Sequence, residues 1–170
     1  MLEFFQSNAA VYSILKILHI GSLIFWLGPT LGAWWLLRAT TYRFGEPSII
    51  SQYLYRLFLK VTEIEHIALM TLLITGGLLG MLLDSYQQTW LLIKLTLILV
   101  ILLPFEALDI WLCHYKLANM FERRHPSTPY AIEENRLLAF YHHQFVPLAL
   151  LFIPITVLII FWLVISKPII

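Results

Sequence analysis

The sequence predicts an all-α integral membrane protein, a bundle of four transmembrane helices in a single domain over residues 1–170. Of the 170 residues, 60% are apolar and 12% charged, whereas an average soluble domain is about half apolar and about a quarter charged. Four apolar stretches follow one another, each long enough for the roughly 20 residues that cross a bilayer. Lysine and arginine gather in alternate connections between these stretches, as in multi-pass membrane proteins.

The predicted spans cover about residues 11–37, 57–83, 89–112 and 140–166. The helix of span two is expected to begin near Pro47, because proline suits a first helical turn. Residues 116–124 contain no helix breaker and should extend span three into water. The turn at 125–129 has Thr128 as the predicted N-cap of span four, and good helix formers follow. Spans three and four are therefore predicted to extend as an antiparallel helical hairpin.

Basic residues set the expected orientation of the chain. The first and third connections and their flanks hold eight of the 11 lysines and arginines: Arg38, Arg43, Arg56, Lys60, Lys116, Arg123, Arg124 and Arg136. The connection at 84–89 has none. Since short cytoplasmic loops are rich in lysine and arginine, both termini are predicted outside and the hairpin in the cytoplasm.

Several function classes are disfavoured by the same sequence. A net charge of +1 offers no broad basic surface for nucleic acid. The single cysteine, Cys113, provides neither an internal disulfide nor a CxxC motif. A phosphate-binding glycine loop, a nucleophile elbow and an HExxH zinc helix are all missing. The lipid bilayer is the one partner that composition requires.

Glycines and prolines inside the spans predict their packing. Two GxxxG pairs, Gly28 with Gly32 and Gly76 with Gly80, predict close contact between helices. Four prolines are each expected to kink a helix or to free a carbonyl for a cavity: Pro29, Pro104, Pro147 and Pro154.

Two ionisable residues are predicted in the outer half of the membrane. His19 lies roughly 12 Å along span one from Val11, at 1.5 Å per residue, and Lys94 lies at a similar depth on span three. They would share one site. Alternatively, Lys94 snorkels to the outer interface, and His19 forms a hydrogen bond to a neighbouring helix.

A denser set of ionisable residues is predicted in the inner half. It comprises Glu63, Glu65 and His66 on span two, Glu106 and Asp109 on span three, and His142 and His143 on span four. Glu63 with His66, and Glu106 with Asp109, are three residues apart, so each pair should share a helical face. We expect His66 to face the bundle interior, close to Glu106 and at the depth of His142 and His143.

Three interpretations of this inner set remain open. The single ExxH, Glu63 to His66, is half of a carboxylate-bridged di-iron motif, which needs two. A haem could lie between His66 and either His142 or His143 in an apolar slot. Alternatively, the acids lie near the inner interface and pair with Lys60, Lys116, Arg136 or each other, which is the interpretation favoured for Glu65 and Asp109.

Short motifs resemble a known group of membrane proteins. Residues 15–20, LKILHI, and 26–28, WLG, resemble the first helix shared by HemJ-type protoporphyrinogen oxidases, CopD-like copper-resistance proteins and a related uncharacterised four-helix family. Residues 90–95, WLLIKL, resemble the start of the third HemJ helix, and 162–168 resemble the tail common to HemJ and the uncharacterised family. The resemblance implies a bacterial cytoplasmic membrane and functional roles for His19 and Lys94 with a b-type haem.

The chain also departs from the HemJ pattern. It lacks the Asn-Glu pair before the proline of span four, Pro147, and His114-Tyr115 appears in reversed order after the expected place of a Tyr-His pair. The long charged connection after span three is closer to the uncharacterised family.

Three functions follow as hypotheses. The first is a haem b protein, redox-active on a lipophilic substrate, with His19, His66, His142 and His143 as candidate ligands and Lys94 and Glu106 as catalytic residues. The second is a cofactor-free transporter or proton relay. It would use the inner histidines and the inner acids, including Glu63 and Asp109, as exchange sites. The third is a non-catalytic subunit that binds another membrane protein or a second copy of this chain.

The orientation can be tested by labelling from outside the cell. A tag after Ile170 should be reached by an impermeant reagent, and a cysteine placed at Ser127 should not, because the hairpin is predicted in the cytoplasm. The unaltered chain, with only Cys113, is the control for background labelling. The reverse labelling pattern would invert the topology.

Overall fold

The computed structural model describes residues 2–44, 48–82, 88–123 and 128–167, and these residues are almost entirely helical. Four helices are long and apolar enough to cross a membrane: Ala9–Phe44, Ile49–Leu82, Thr89–Glu122 and Ile132–Ser166. We number them span one to span four. The predicted all-α fold with four spans is confirmed. The predicted helix start near Pro47, residues 84–87 and residues 125–127 lie outside the described residues.

Spans one, three and four consist of shorter helical segments, whereas span two is a single helix. Span one is α1 (Leu2–Leu27) and α2 (Pro29–Phe44), and span two is the single helix α3 (Ile49–Leu82). Span three is α4 (Thr89–Leu97), α5 (Leu103–Ile110) and α6 (Ala118–Glu122), joined by π-helical turns at Ile98–Leu102 and Trp111–Leu117. Span four is α7 (Ile132–Phe140) and α8 (Val146–Ser166), joined by a π-helical turn at Tyr141–Phe145.

Side chains are distributed as expected for a protein whose solvent is lipid. Large aliphatic residues face outward on every span, including Ile17, Ile67, Leu99 and Leu158. Polar side chains are buried instead: Ser22, Ser51, Gln52, Thr62, His66, Thr75, Glu106, His142 and Thr156. Because hydrocarbon offers no hydrogen-bond partners, polar groups are stable only where other spans cover them.

Prolines account for two of the π-helical turns. Pro104 and Pro147 each lie two residues after such a turn, at Ile98–Leu102 and Tyr141–Phe145. A proline removes one backbone donor and collides with the carbonyl four residues earlier. Widening the preceding turn relieves that collision, and π-helical turns are a known adjustment to proline in membrane helices.

The other two prolines behave differently. Pro29 begins α2 directly after the break at Gly28, whose N–H still donates to the Ile24 carbonyl at 3.0 Å. Pro154 lies inside α8, which continues through it. The expected irregularity is therefore present at three of the four prolines.

The start of span four differs from the prediction. The helix begins at Ile132, and its N-cap is Ala131, not Thr128. Ala131 has extended backbone angles, and its N–H donates to a carboxylate oxygen of Glu134 at 2.8 Å. The prediction that Thr128 is the N-cap is wrong, because the N-cap lies three residues later, at Ala131. There the side chain of Glu134 accepts the hydrogen bond from the backbone N–H of Ala131.

Both predicted extensions beyond the apolar spans are helical. Span three continues to Glu122, and span four begins at Ile132. Leu117 and Phe121 on the first extension lie in the same buried cluster as Leu138 on the second. The predicted helical extensions are confirmed. The turn between them, at 124–127, lies outside the described residues, and the location of the hairpin in the cytoplasm stays a prediction.

Two apolar clusters lie above and below a polar layer. The first cluster is Leu37, Tyr55, Phe58, Leu112, Cys113, Leu117, Phe121, Leu138, Tyr141 and Phe145. The second is Trp26, Ala68, Leu69, Leu102 and Val157. Residues 62–66 of span two and 106–109 of span three fall between the members of these two clusters. Along the bundle, the ionisable residues there therefore have packed apolar side chains on both sides.

Lysine–tryptophan pairs mark the two ends of the bundle. The Nζ of Lys116 lies 4.9 Å from the ring centroid of Trp111, and that of Lys167 lies 5.9 Å from the ring of Trp90. Tryptophan and lysine are the residues that anchor a membrane protein at the two lipid–water interfaces. Trp111 and Trp90, which lie at opposite ends of span three, are thus each paired with a lysine.

Only one of the two GxxxG pairs makes close contact between spans. A Cβ added at Gly76 would lie 2.9 Å from Cε1 of His19, so the glycine allows span one to approach span two at this point. At Gly32 an added Cβ meets no described atom within 4 Å, and at Gly28 it meets only the Ile24 carbonyl of the same span. The contact predicted for Gly28 and Gly32 is not made within the described chain.

The Gly76 contact leads to a stability test. Gly76→Ala should lower the melting temperature in detergent, because displacing the hydrogen-bonded His19 ring corresponds to overpacking of about 1–3 kcal/mol. Gly21→Ala, where an added Cβ meets no described atom within 4 Å, should leave it equal or slightly higher, since alanine favours a helix by roughly 0.5–1 kcal/mol over glycine. Circular dichroism on heating measures both. Equal effects of the two substitutions would contradict the contact.

Candidate functional site

Seven side chains from three spans form an inner polar cluster. They are Glu65 and His66 of span two, Glu106, Asp109, Cys113 and His114 of span three, and Tyr141 of span four. Cys113, His114 and Tyr141 belong to π-helical turns, which change which side chains a helix presents on one face.

His66 lies at the centre of this cluster and is 7% exposed. Its Nδ1 lies 2.9 Å from Nε2 of His114. Its Nε2 lies 3.2 Å from an oxygen of Asp109 and 3.9 Å from Oε2 of Glu106, although neither contact has good hydrogen-bond geometry. The prediction that His66 faces the interior, close to Glu106, is confirmed.

Glu106 is 3% exposed and only half satisfied. The indole Nε1 of Trp26 donates a 2.9 Å hydrogen bond to its Oε1. Its Oε2 is buried and has no hydrogen-bond partner. Since an unsatisfied carboxyl oxygen is costly in a low-dielectric interior, this atom marks the group that a proton or a ligand would stabilise most.

Asp109 is held by side chains on its own span and on span four. The hydroxyl of Tyr141 donates to its Oδ1 at 3.2 Å, and the Cys113 thiol lies 3.6 Å from the same oxygen. The thiol also lies 3.2 Å from the Tyr141 hydroxyl. Glu106 and Asp109 both point toward His66, so the prediction that they share a helical face is confirmed.

The two remaining acids of span two separate. Thr30 of span one donates a short hydrogen bond to Glu65, which lines the interior. Glu63 is exposed and pairs with Lys60 at 3.1 Å. The predicted shared face of Glu63 and His66 is wrong, because a three-residue step leaves an offset of about 60° around a helix, which here crosses the boundary of the buried face.

The pairing favoured for Glu65 and Asp109 with basic residues at the inner interface is also wrong. Their partners are Thr30, Tyr141 and His66. Among the described residues, no lysine or arginine forms an ion pair with Glu65, Glu106 or Asp109; the one such pair is Lys60 with Glu63.

His142 is buried in a separate hydrogen-bonded group. Its Nδ1 accepts from Nε1 of Trp34 at 3.2 Å, and its Nε2 lies 2.7 Å from the Tyr55 hydroxyl. An indole N–H can only donate, so Nδ1 carries no proton and Nε2 does. The neighbouring His143 is exposed. Consecutive residues point in different directions around a helix, so the predicted inward position holds for His142 and fails for His143.

His19 joins span one to span two. Its Nδ1 lies 3.1 Å from both the Leu72 carbonyl and the Thr75 hydroxyl. Because a carbonyl only accepts, Nδ1 donates and Nε2 carries no proton. Lys94 is half-buried and close enough to act on His19 electrostatically. The shared site of His19 and Lys94 stays a prediction, because no direct contact between the two side chains is described. His19 makes the hydrogen bond to a neighbouring helix that was its alternative.

A cavity of about 140 Å³ lies beside the inner polar cluster. Its walls come mainly from spans one, three and four, and they include six aromatic residues: Trp26, Trp34, Phe58, Phe105, Tyr141 and Phe145. At one side it reaches Glu65, Glu106 and Asp109. An apolar chamber with a few convergent polar groups is the common form of a ligand site.

The inner histidines do not fit a haem. His142 uses both ring nitrogens for protein hydrogen bonds, and both nitrogens of His66 face protein partners. Neither histidine lines the cavity. Of the histidines that the structure describes, His19 has the arrangement usual for a metal ligand, with Nδ1 bound to a carbonyl and no hydrogen bond described at Nε2. Groups of three or more histidine, cysteine or acidic residues that could hold a metal ion are absent from the described residues.

Sequence reasoning missed several members of the site. His114 was noted only as a motif departure, yet it is the direct partner of His66. Trp26, Trp34 and Tyr141 supply donors to Glu106, His142 and Asp109. Tryptophan and tyrosine in an apolar span are compatible with packing alone, so composition carries no signal for these hydrogen bonds.

Fold and site together define a multi-pass integral membrane protein with a buried acid–histidine cluster. The chain belongs to the family described as "Predicted integral membrane protein (DUF2269)", whose model matches residues 13–168. No curated protein and no solved structure matches the chain. The expected uncharacterised membrane family is thereby confirmed, while kinship with HemJ-type and CopD-like proteins stays a resemblance.

The Trp26–Glu106 hydrogen bond yields a stability prediction. Trp26→Phe should destabilise the bundle by about 1–3 kcal/mol, because it leaves a second buried oxygen of Glu106 without a donor. Trp35→Phe is the matched control on the same span, since Trp35 is 67% exposed and such a change should stay within about 0.5 kcal/mol. Thermal unfolding in detergent compares the two. If both variants have the same melting temperature as the parent protein, this hydrogen bond contributes nothing to the stability of the bundle.

Proposed function

We propose that the protein is a cofactor-free intramembrane proton relay, the proton-handling part of a transporter or exchanger. The inner polar cluster would store protons and pass them between Glu106 and one end of the bundle. The observation that carries this proposal is a row of neighbouring ionisable side chains. Half-buried His114 is hydrogen-bonded to His66, whose Nε2 lies 3.2 Å from Asp109 and 3.9 Å from Glu106.

Charge balance supports proton storage in the cluster. The cluster contains three carboxyl groups, on Glu65, Glu106 and Asp109, and two histidines, and no described lysine or arginine pairs with these acids. Unpaired carboxylates inside a membrane protein are destabilising by several kcal/mol each. The cluster is therefore most stable when it holds protons in place of metal ions or basic side chains.

The two histidines can pass a proton because each ring has two nitrogens. In the 2.9 Å contact, either His66 or His114 donates. When His114 donates, Nε2 of His66 carries the proton and faces Asp109. When His66 donates instead, a proton must lie on Asp109 or on both nitrogens of His66. A proton received at Nδ1 thus releases one from Nε2 toward the acids, without movement of either ring.

His114 provides the connection to water. It lies two residues before Lys116, close enough to exposed Glu63 for electrostatic interaction. If the basic connections face the cytoplasm, as their sequence predicts, this relay opens toward the cytoplasmic side of a bacterial inner membrane. Glu106 and the cavity would lie at its deep end.

Haem b at His19 is the competing proposal. It is supported by the resemblance and by the hydrogen bond from Nδ1 to a carbonyl, which is typical of a metal-bound histidine. It is weakened because His19 does not line the cavity beside the inner polar cluster. Lys94 is the candidate catalytic residue in that proposal only.

The relay proposal is tested by infrared spectroscopy of the protein in lipid nanodiscs. After transfer to heavy water, the carboxylic-acid C=O band should shift as buried protons exchange. His114→Phe should slow this shift about tenfold or more, corresponding to about 1.4 kcal/mol in the barrier, because phenylalanine preserves the shape and removes both nitrogens. Tyr115→Phe is the matched control, since Tyr115 is exposed and adjacent.

Two results would contradict the relay. In the first, the carboxylic-acid C=O band is missing or is not reduced by Glu106→Gln. In the second, the band shifts at the same rate in heavy water in the His114→Phe and Tyr115→Phe variants. An absorption spectrum of the same preparation separates the competing proposal: a Soret band lost in His19→Ala would favour haem b.

A further inference from the structure

We infer that the cavity beside Glu106 binds a small hydrophobic ammonium ion, and that this ion and protons compete for the inner acids. The competition with protons rests on the proposed relay, whereas the binding of the ion stands on the shape and charge of the cavity. Nothing in the family description assigns a ligand to this protein.

The part of the cavity inside the bundle has room for about one ring. Its volume is about 140 Å³, close to the roughly 150 Å³ of an engineered protein cavity that binds benzene. A porphyrin or a folded phospholipid chain is far larger. A primary amine attached to a single six-membered ring is the class of molecule that matches.

The walls favour a cation. Trp26, Trp34 and Phe105 present aromatic rings to the cavity, together with Phe58, Tyr141 and Phe145. The electron-rich face of an aromatic ring attracts ammonium ions, most strongly where water is excluded. Rings on several sides of one chamber are the arrangement by which proteins bind organic cations.

Spans two and three contribute three ionisable side chains to the lining of the cavity, and all three are acids: Glu65, Glu106 and Asp109. Oε2 of Glu106 is buried without a hydrogen-bond partner, so an ammonium group would supply the donor that this atom lacks. An organic anion would find no positive charge among these three side chains, and a neutral alcohol would gain less than a charged donor.

The membrane itself gives access to the cavity. Leu31, Leu150 and Pro154 line it and are also exposed on the outer surface of spans one and four. A hydrophobic amine dissolves in the bilayer and would enter laterally between these two spans. Its apolar ring would remain among aromatic side chains while its ammonium group reaches Glu106.

The exchange balances charge one for one. When an ammonium ion binds, one proton leaves a carboxyl group of the cluster, passes from His66 to His114 and reaches water. The net charge of the buried cluster is unchanged. When the ammonium ion leaves, a proton returns by the same two histidines. No bond other than those to the proton is made or broken.

Fluorine NMR tests the site with three probes of one shape. Para-fluorobenzylammonium, para-fluorobenzyl alcohol and para-fluorobenzoate are titrated at pH 7 into nanodiscs with the protein, and into empty nanodiscs to measure lipid partition. The ammonium probe should bind saturably, at least about tenfold more tightly than the alcohol, or about 1.4 kcal/mol. The benzoate should show only lipid partition.

Variants assign the binding to the cavity and to its charge. Glu106→Gln keeps an acceptor for Trp26 and removes the charge, so it should weaken ammonium binding about tenfold and leave alcohol binding unchanged. Glu63→Gln is the control at an exposed acid. Ala149→Phe fills the cavity and should abolish binding of both probes while circular dichroism and melting remain near those of the parent.

The outcomes separate the ligand from the relay. Equal binding of ammonium and alcohol, or ammonium binding that survives both Glu106→Gln and Ala149→Phe, overturns the cation site even if proton exchange still depends on His114. Cation binding without His114-dependent exchange preserves the site and overturns the competition with protons. Should Glu106→Gln fail to fold, the three-probe comparison and Ala149→Phe still decide the inference.

Discussion

The contact of His66 with span three is the interaction on which the arrangement of the inner half depends. In hydrocarbon no water is present to form hydrogen bonds with a buried imidazole or with the carboxyl groups of Glu106 and Asp109. Inside the bundle each of these groups stabilises the others, together with the donors that Trp26 supplies to Glu106 and Tyr141 to Asp109. Spans two and three are therefore held at one register, in which His66 lies opposite these acids and His114. The apolar clusters on either side tolerate small shifts, because aliphatic contacts are not directional.

The three π-helical turns place the site on its helices. A regular α-helix through Trp111–Leu117 and Tyr141–Phe145 would turn by a different amount per residue and rotate the following side chains away from the interior. Pro147 explains the turn in span four. No proline lies near Trp111–Leu117, and there the packing of Cys113 and His114 against Tyr141 and His66 accompanies the distortion. Local irregularity and buried polar chemistry thus occur at the same positions.

The outer and inner histidines have different surroundings, and the difference bears on function. His19 bonds to a backbone carbonyl and a threonine hydroxyl across a glycine contact, which joins two spans with neutral partners. His66 faces two acids and a second histidine, a set whose charge depends on bound protons. The inner set also borders the aromatic cavity. Protons and a cationic ligand would meet there, at Glu106.

The sequence by itself determined the class of the protein. Hydrophobic length defines the four spans, since an uncovered polar backbone cannot lie in lipid, and the helical extension after span three follows from its lack of breakers. The inward position of His66 followed from the same reasoning, because an ionisable group in a span is stable only where other helices cover it.

Tertiary structure decided which polar residues meet. Glu63 and His143 lie in the same stretches as His66 and His142, yet both face outward, because a small rotation of each helix carries a neighbouring residue across the boundary of the buried face. His114, Trp26 and Tyr141 became site residues through contacts between spans distant in sequence. Helix rotation, π-helical turns and the approach of span one to span two at Gly76 arise from the packing of all four spans together, which no single stretch of sequence encodes.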